Sequence, residues 1–96
     1  MFGKILKIDN NEITIENISK KALSSIMNCH LVFVDPDRLV VGELIYIDKE
    51  IARVLLVGEI KNNTFISGTI QKPSGTSDIR IISAKELELI IGKNNI

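Results

Sequence analysis

The sequence predicts a mainly β domain: a small closed or partly open antiparallel β-barrel, with one short helix after the second strand and a helix at the C-terminus. Two observations carry this prediction. Short runs rich in isoleucine and valine recur between polar turns, a spacing typical of small barrels. The phrase Val-Gly-Glu, followed by an apolar residue, also occurs twice, at residues 41–44 and 57–60. Ninety-six residues are enough for one domain with its own core.

The repeated phrase places Gly42 and Gly58 inside apolar strands, and Gly68 lies near the middle of a further strand predicted for residues 65–71. An interior glycine weakens a strand unless it marks a bulge, a sharp bend or a close approach of two backbones. We therefore predict that Gly42, Gly58 and Gly68 are structural bends, at which the antiparallel sheet curls into a barrel.

The first two strands form a predicted hairpin. Leu6 and Ile8 fall on one face of the first strand, and the polar residues 9–11 supply the turn. The second strand, residues 12–16, alternates isoleucine with polar residues, which predicts that Ile13 and Ile15 point into the core.

The segment after the second strand predicts a short helix. Leu23, Ile26 and Met27 have the spacing of one helical face within residues 20–28, although the serines among them leave a loop as the alternative. A third strand covers residues 30–34 and ends at the turn of residues 35–38, where Pro36 presets the backbone for chain reversal.

The second half of the chain continues with strands and then a helix. Further strands are predicted for residues 39–47, 51–60, 65–71 and 79–82, joined by polar segments at 48–50, 61–64 and 72–78. Ser83 and Glu86 have the spacing of a capping box, which predicts a helix over residues 84–91 with Leu87, Ile90 and Ile91 on its apolar face. Gly92 ends this helix, so residues 1–92 form one domain and residues 93–96 a frayed tail or the start of a linker.

Charge and composition exclude several classes of function. Twelve basic and twelve acidic residues give a formal net charge of +0, so no overall field attracts a nucleic acid or a membrane surface. The single cysteine, Cys29, excludes an internal disulfide. Residues 1–7 lack the apolar core of a signal peptide, and no apolar run reaches the roughly 18 residues of a membrane span, so we expect a cytoplasmic protein without membrane contact.

The residues that could bind a metal or act in catalysis do not form a recognisable active site. Cys29 and His30 are too few for a zinc site, and as neighbours on an extended chain they point to opposite faces. Asp35 and Asp37 flank a proline and are interpreted as a turn rather than a cation site.

Two further candidates for catalysis are also weak. Glu43 and Glu59 recur in the repeated phrase, but catalysis by this pair would need a pocket that the sequence does not show. Residues 73–76 lack the P-loop pattern, which occurs nowhere in the chain. We expect no catalytic, metal-binding or cofactor-binding residue.

Three segments in order resemble the N-terminal barrel of HerA-type ATPases, a domain similar in outline to the N-terminal barrels of ATP synthase catalytic subunits. A strand ending in the Val-Gly-Glu of residues 57–59 precedes a loop with Pro73 and Gly75, and a helix of the A-x-E-L-x-x-I-I-G type follows at residues 84–92. Residues 40–43 resemble an earlier strand of the family. The family continues into a RecA-like motor domain, whereas this chain stops at Ile96.

The resemblance implies a non-catalytic module for assembly and partner docking in a hexameric DNA-translocating ATPase. The implied partners are its own ATPase domain, neighbouring subunits of the hexamer, and a NurA-like nuclease or another effector. ATP and magnesium are expected only in the absent motor domain, and the isolated barrel is expected to be a monomer or a weak oligomer. The alternative is a free-standing OB-like domain that binds nucleic acid, and a third hypothesis, an enzyme acting through Glu43 or Cys29, would need a pocket.

Overall fold

A computed structural model describes residues 2–17, 30–68, 72–74 and 78–91. Within these ranges the chain forms seven strands and then one helix: β1 (Phe2–Asp9), β2 (Glu12–Asn17), β3 (His30–Asp35), β4 (Arg38–Ile47), β5 (Ile51–Lys61), β6 (Thr64–Ser67), β7 (Asp78–Ile81) and α1 (Ala84–Ile91). The prediction of a mainly β, antiparallel fold with a C-terminal helix is confirmed. The short helix predicted for residues 20–28, together with Gly92 and residues 93–96, lies outside the described residues.

All seven strands belong to one antiparallel sheet in the order β1-β2-β5-β4-β3-β7. Strand β6 also pairs with β5, further along the β5 edge that β2 occupies. The sheet curls so that Cα atoms of its edge strands β1 and β7 come within 8 Å of each other. The result is a half-barrel, the partly open form of the predicted architecture.

The inner face of the half-barrel holds the main core. The strict alternation predicted for β2 is confirmed, since Ile13 and Ile15 are fully buried between partly exposed polar residues. Partly buried Ile5, Ile8 and Ile79 bring the two edge strands onto the same core. Its buried members are Ile13, Ile15, Leu31, Phe33, Val40, Leu44, Ala52, Val54 and Leu56.

A second apolar cluster lies on the opposite face of the sheet. Val32, Val41 and Ile60 are buried there, and Leu89 and Ile90 of α1 pack against them. Burial on both faces explains why three successive residues of β3 are buried instead of alternating. Of the predicted helix face, Ile90 packs against this cluster, whereas Ile91 is 48% exposed and Leu89, which was not predicted, packs there.

Two bulges set the side-chain orientations of the central β4–β5 hairpin. Val41 pairs with Gly58 and Gly42 with Leu56, which leaves Val57 as an extra residue in β5. Leu44 pairs with Val54 and Tyr46 with Arg53, so Ile45 is extra in β4. A bulge increases local twist and changes which side chains face the core.

The glycines of the repeated phrase lie beside the first bulge. A Cβ at Gly58 would be 2.5 Å from the backbone oxygen of Ile66 and from the Phe65 ring, so β6 approaches β5 where a side chain is absent. A Cβ at Gly42 would contact the side chain of Val54.

Two details of the predicted strands are wrong. Leu6 does not share a face with Ile8: register shifts in β1 place Ile5 and Ile8 against the core and leave Leu6 48% exposed. Gly68 does not lie in the middle of a strand, because β6 ends at Ser67. Gly68 has φ of 109°, a backbone conformation that favours glycine and is not that of a β-strand.

The predicted capping box at the start of α1 is confirmed. The N–H of Ser83 donates to Oε1 of Glu86 at 2.9 Å, and the N–H of Glu86 donates to Oγ of Ser83 at 3.2 Å. Arg80 of β7 adds two hydrogen bonds to the same carboxylate, at 2.8 and 2.7 Å. Chiefly because of Arg80, the pKa of Glu86 is lowered to about 2. This contact joins the helix to the last strand.

Candidate docking surface

A cleft of about 470 Å³ opens at one mouth of the half-barrel. The β3–β4 turn, the end of β5 and the segment at residues 72–74 surround it. Register places Asp35, Arg38 and Glu59 on the same sheet face as the core residues Phe33 and Val40. The lining residues are Asp35, Pro36, Asp37, Arg38, Glu59, Lys61, Lys72 and Ser74.

Arg38 is the central residue of this cleft. Its side chain is 10% exposed, and its guanidinium donates to Glu59 at 2.6 Å and to Asp35 at 3.4 Å. It also donates to the backbone oxygen of Lys72 at 3.0 Å, while the N–H of Ser74 lies 3.4 Å from both carboxylate oxygens of Asp35. The network therefore fastens residues 72–74 to the β3–β4 turn.

The charges of the cleft serve this internal contact. Asp35, Asp37 and Glu59 balance Arg38, Lys61 and Lys72, and the most buried cation, Arg38, already contacts two carboxylates. A guanidinium that is largely buried and already paired has little capacity left to bind an anionic ligand. The geometry indicates that this network is a structural joint, which holds β4, β5 and residues 72–74 together at the barrel mouth.

The carboxylates considered as a catalytic pair are not brought together. Glu59 contacts Arg38 and lies opposite Val40, whereas Glu43 lies three residues beyond Val40 on β4, opposite Leu55 and His30. Three residues of strand separate the two sites by roughly 10 Å.

The other residues considered for chemistry are placed separately. Asp35 belongs to the Arg38 network, and Asp37 lies in the β3–β4 turn. Across the described ranges, no group of three or more His, Cys, Asp or Glu side chains is placed to hold a metal ion. His30 begins β3 opposite Glu43, and Cys29 lies outside the described residues.

An exposed patch lies on the outer face of the central strands. Tyr46 and Leu55 are 41% and 39% exposed, although β4 and β5 form the middle of the sheet. The Arg53 guanidinium lies 5.8 Å from the centre of the Tyr46 ring and 2.6 Å from Oε2 of Glu12. We call Glu12, Glu43, Tyr46, Arg53 and Leu55 the β4–β5 face.

Hydrogen bonds and charge pairing hold this face in place. Arg53 lowers the pKa of Glu12, and Glu12 in turn raises the pKa of Arg53. The Tyr46 hydroxyl donates to Oδ2 of Asp48 at 2.7 Å, which raises the pKa of Tyr46. Arg53, near the ring, and Asp48, at the hydroxyl, therefore both position the Tyr46 side chain.

Asp48 organises the adjoining β4–β5 turn. Its Oδ1 accepts the N–H groups of Glu50 and Ile51 at 2.7 and 2.8 Å, and the bond from Ile51 is the main cause of its lowered pKa. Nδ2 of buried Asn17 donates to the backbone oxygen of Asp48 at 2.6 Å. The end of β2 thus supports the turn that carries Tyr46.

The sequence contains little signal for either surface. Arg38 and Glu59 are 21 residues apart, and Arg53 and Glu12 are 41 apart, so no local motif joins them. The one local sign of an outer face is Tyr46, a tyrosine within a mostly apolar strand.

Comparison with protein-family models and with curated proteins found no match for the chain. Of the helices in the described part of the chain, none has the length and apolar character needed to cross a bilayer.

Proposed function

We propose that this chain is a non-catalytic assembly and partner-docking barrel of a HerA-like DNA-translocating ATPase. One observation carries the docking role: Tyr46 and Leu55 are exposed side by side with Arg53 on the most enclosed strands of the sheet. Tyrosine and arginine are enriched where protein interfaces concentrate their binding energy, and charges fixed by internal pairing favour a rigid surface.

The Arg38 network also supports a docking role over a catalytic one. A catalytic acid or base needs access to a substrate. In the cleft, Asp35 and Glu59 instead share Arg38, and Pro73 is buried within residues 72–74, the strap that the network holds. These contacts use the charged groups of the cleft to fix the end of the barrel.

The connection with HerA-like motors comes from the order of elements. In this half-barrel the Val-Gly-Glu strand β5 comes before the segment with Pro73, and the capped helix α1 comes after both. The resemblance implies this order. In this proposal the partners are the ATPase domain, neighbouring subunits and a NurA-like nuclease, in the cytoplasm. ATP and magnesium bind the motor domain.

Binding measurements test the proposal. The purified chain is mixed with a HerA-type motor domain and, separately, with a NurA-type nuclease, and complex formation is followed by light scattering after size exclusion. Fluorescence anisotropy with a labelled oligothymidine is measured at about 50 and 200 mM salt, because phosphate contacts weaken steeply over that range.

We expect a complex with at least one of the two proteins and no salt-sensitive binding of the oligonucleotide. Salt-sensitive binding of single-stranded DNA, without a protein complex, would instead establish the OB-like alternative.

A further inference from the structure

We propose that the β4–β5 face docks a basic, apolar segment of a protein partner. This inference rests on the docking function proposed above and adds the surface and the chemistry of its ligand. Three properties of the face support it: an apolar centre, an excess of negative charge around that centre, and side chains that are already held in place.

The apolar centre consists of Leu55 and the Tyr46 ring. Leu55 has Glu12 and Glu43 as its direct cross-strand partners, and Tyr46 has Arg53. Paired residues of an antiparallel sheet project to the same side, so these five side chains share one surface. Covering Leu55 and the tyrosine ring removes apolar area from water, which favours an apolar side chain in the partner.

The charge surrounding this centre is negative. Glu43 lies on one side of Leu55 and Glu12 on the other, and Asp48 accepts the hydrogen bond from Tyr46. Arg53 is paired with Glu12, and Lys7 of β1, opposite Thr14, also acts on the Glu12 carboxylate, so Glu43 and Asp48 carry the excess negative charge. A partner with lysine or arginine beside its apolar residue matches this pattern, whereas the phosphates of a nucleic acid do not.

The face is also organised before binding. Arg53 and Asp48 hold Tyr46 from its ring and its hydroxyl, and Asn17 and the turn N–H groups hold Asp48. A side chain that is already positioned loses less conformational freedom when a partner binds.

A second copy of this chain is a poor occupant for the same face. A symmetric dimer brings identical patches together, so the carboxylates of Glu12, Glu43 and Asp48 would be present on both sides of the interface. Like charges facing each other across an interface oppose binding. The charge pattern therefore selects a different chain with basic residues.

The test is a nuclear magnetic resonance titration of the ¹⁵N-labelled full chain. The probes are a short peptide that alternates lysine with leucine, the matching glutamate–leucine peptide and an oligothymidine. Binding is compared between the wild type and the variants Leu55→Ser, Glu43→Lys and Glu43→Gln. Matched controls are Ile66→Ser, an apolar site on β6 that is 48% exposed against 39% for Leu55, and Glu88→Lys on α1.

We expect the lysine–leucine peptide to shift the amide signals of residues 43–46 and 53–55. Leu55→Ser and Glu43→Lys should each weaken its binding about tenfold, with Glu43→Gln intermediate and both controls unchanged. Equal binding of the acidic peptide, shifts confined to other strands, or concentration-dependent shifts without any probe would overturn the inference.

A further comparison separates this inference from the docking function itself. If the wild type binds the motor domain or nuclease and Leu55→Ser and Glu43→Gln bind it equally well, the docking function stands and the β4–β5 face is the wrong surface. If the chain binds neither protein, both the docking function and the assignment of the β4–β5 face fail. Weakening by these two variants, but not by Ile66→Ser, supports both.

Discussion

The guanidinium of Arg38 lies 2.6 Å from the carboxylate of Glu59, and the two side chains are 10% and 22% exposed. This pair connects the start of β4 to the end of β5, and Arg38 extends the connection to Asp35 and to the backbone of Lys72. One side chain thus joins two neighbouring strands, the preceding turn and the following strap at the barrel mouth.

Replacing Arg38 by methionine should lower the free energy of unfolding by about 3 kcal/mol, because it removes the guanidinium that two largely buried carboxylates, Asp35 and Glu59, share. Urea denaturation monitored by circular dichroism measures this loss. Lys61→Met, in the same cleft but exposed, is the control and should change stability by less than about 0.5 kcal/mol. Equal effects of the two variants would show that the network is not a structural joint.

Alanine at Gly58 should destabilise the fold by roughly 3 kcal/mol or more, because its Cβ would meet the backbone oxygen of Ile66 at 2.5 Å. Alanine at Gly42 meets the Val54 side chain instead, so Gly42→Ala should be partly rescued by Val54→Ala. Phe65→Ala should not rescue Gly58→Ala, since the backbone contact remains. Thermal melts of single and double variants measure both couplings, and rescue at Gly58 would contradict the close approach of β6.

The Arg80–Glu86 contact should make stability depend on acidic pH. The pKa of Glu86 in the folded chain is about 2, below its ordinary value of 4.5. Its stabilisation is therefore complete above pH 4.5 and declines as pH falls from 4.5 toward 2. Because Arg80 is 45% exposed, we expect only about 1 kcal/mol from the pair.

Urea denaturation of the wild type and Glu86→Gln between pH 3 and about 6 measures this dependence. The variant keeps a side-chain oxygen for the Ser83 N–H but loses the charge, so the difference from wild type should shrink as pH falls. Ser83→Ala is the comparison: it should cost about 1 kcal/mol with a weaker dependence on pH, because Arg80 contributes more than the Ser83 side chain to the lowered pKa of Glu86. A pH-independent difference for Glu86→Gln would contradict the assigned pKa.

Glycine at Asn63 should stabilise the β5–β6 hairpin. Asn62 and Asn63 both have positive φ, 54° and 58°, as in a two-residue turn of type I′. Asn-Gly is favoured there, so Asn63→Gly should raise stability by about 0.5 kcal/mol in thermal melts. Asn63→Val is the opposite control and should destabilise, because a β-branched residue is strained at that φ. Loss of stability with glycine would contradict the turn assignment.

Local patterns in the sequence predicted the elements that depend on near neighbours. Alternation identified the inward isoleucines of β2, and the spacing of Ser83 and Glu86 identified the start of α1. Both signals are complete within a few residues, since a pleat repeats every two residues and a capping box spans four.

Features that depend on strand pairing escaped prediction. The bulges at Ile45 and Val57 arise between β4 and β5, and the register shifts in β1 turned Leu6 outward. A one-residue change in register moves a side chain to the other face of the sheet. The β4–β5 face exists only after this register is fixed, which is why its five residues form no motif in the sequence.

Hydroxyl-radical footprinting of the chain, alone and mixed with a HerA-type motor domain or a NurA-type nuclease, tests the docking role most directly. Oxidation of Tyr46 and Leu55 is compared with that of Ile66 and Leu6, which are each 48% exposed in the free chain. We predict that one of these proteins protects Tyr46 and Leu55 while Ile66 and Leu6 stay reactive. Unchanged oxidation of all four residues under conditions where a complex forms would contradict docking through the β4–β5 face, and the absence of a complex with either protein would contradict the proposed function.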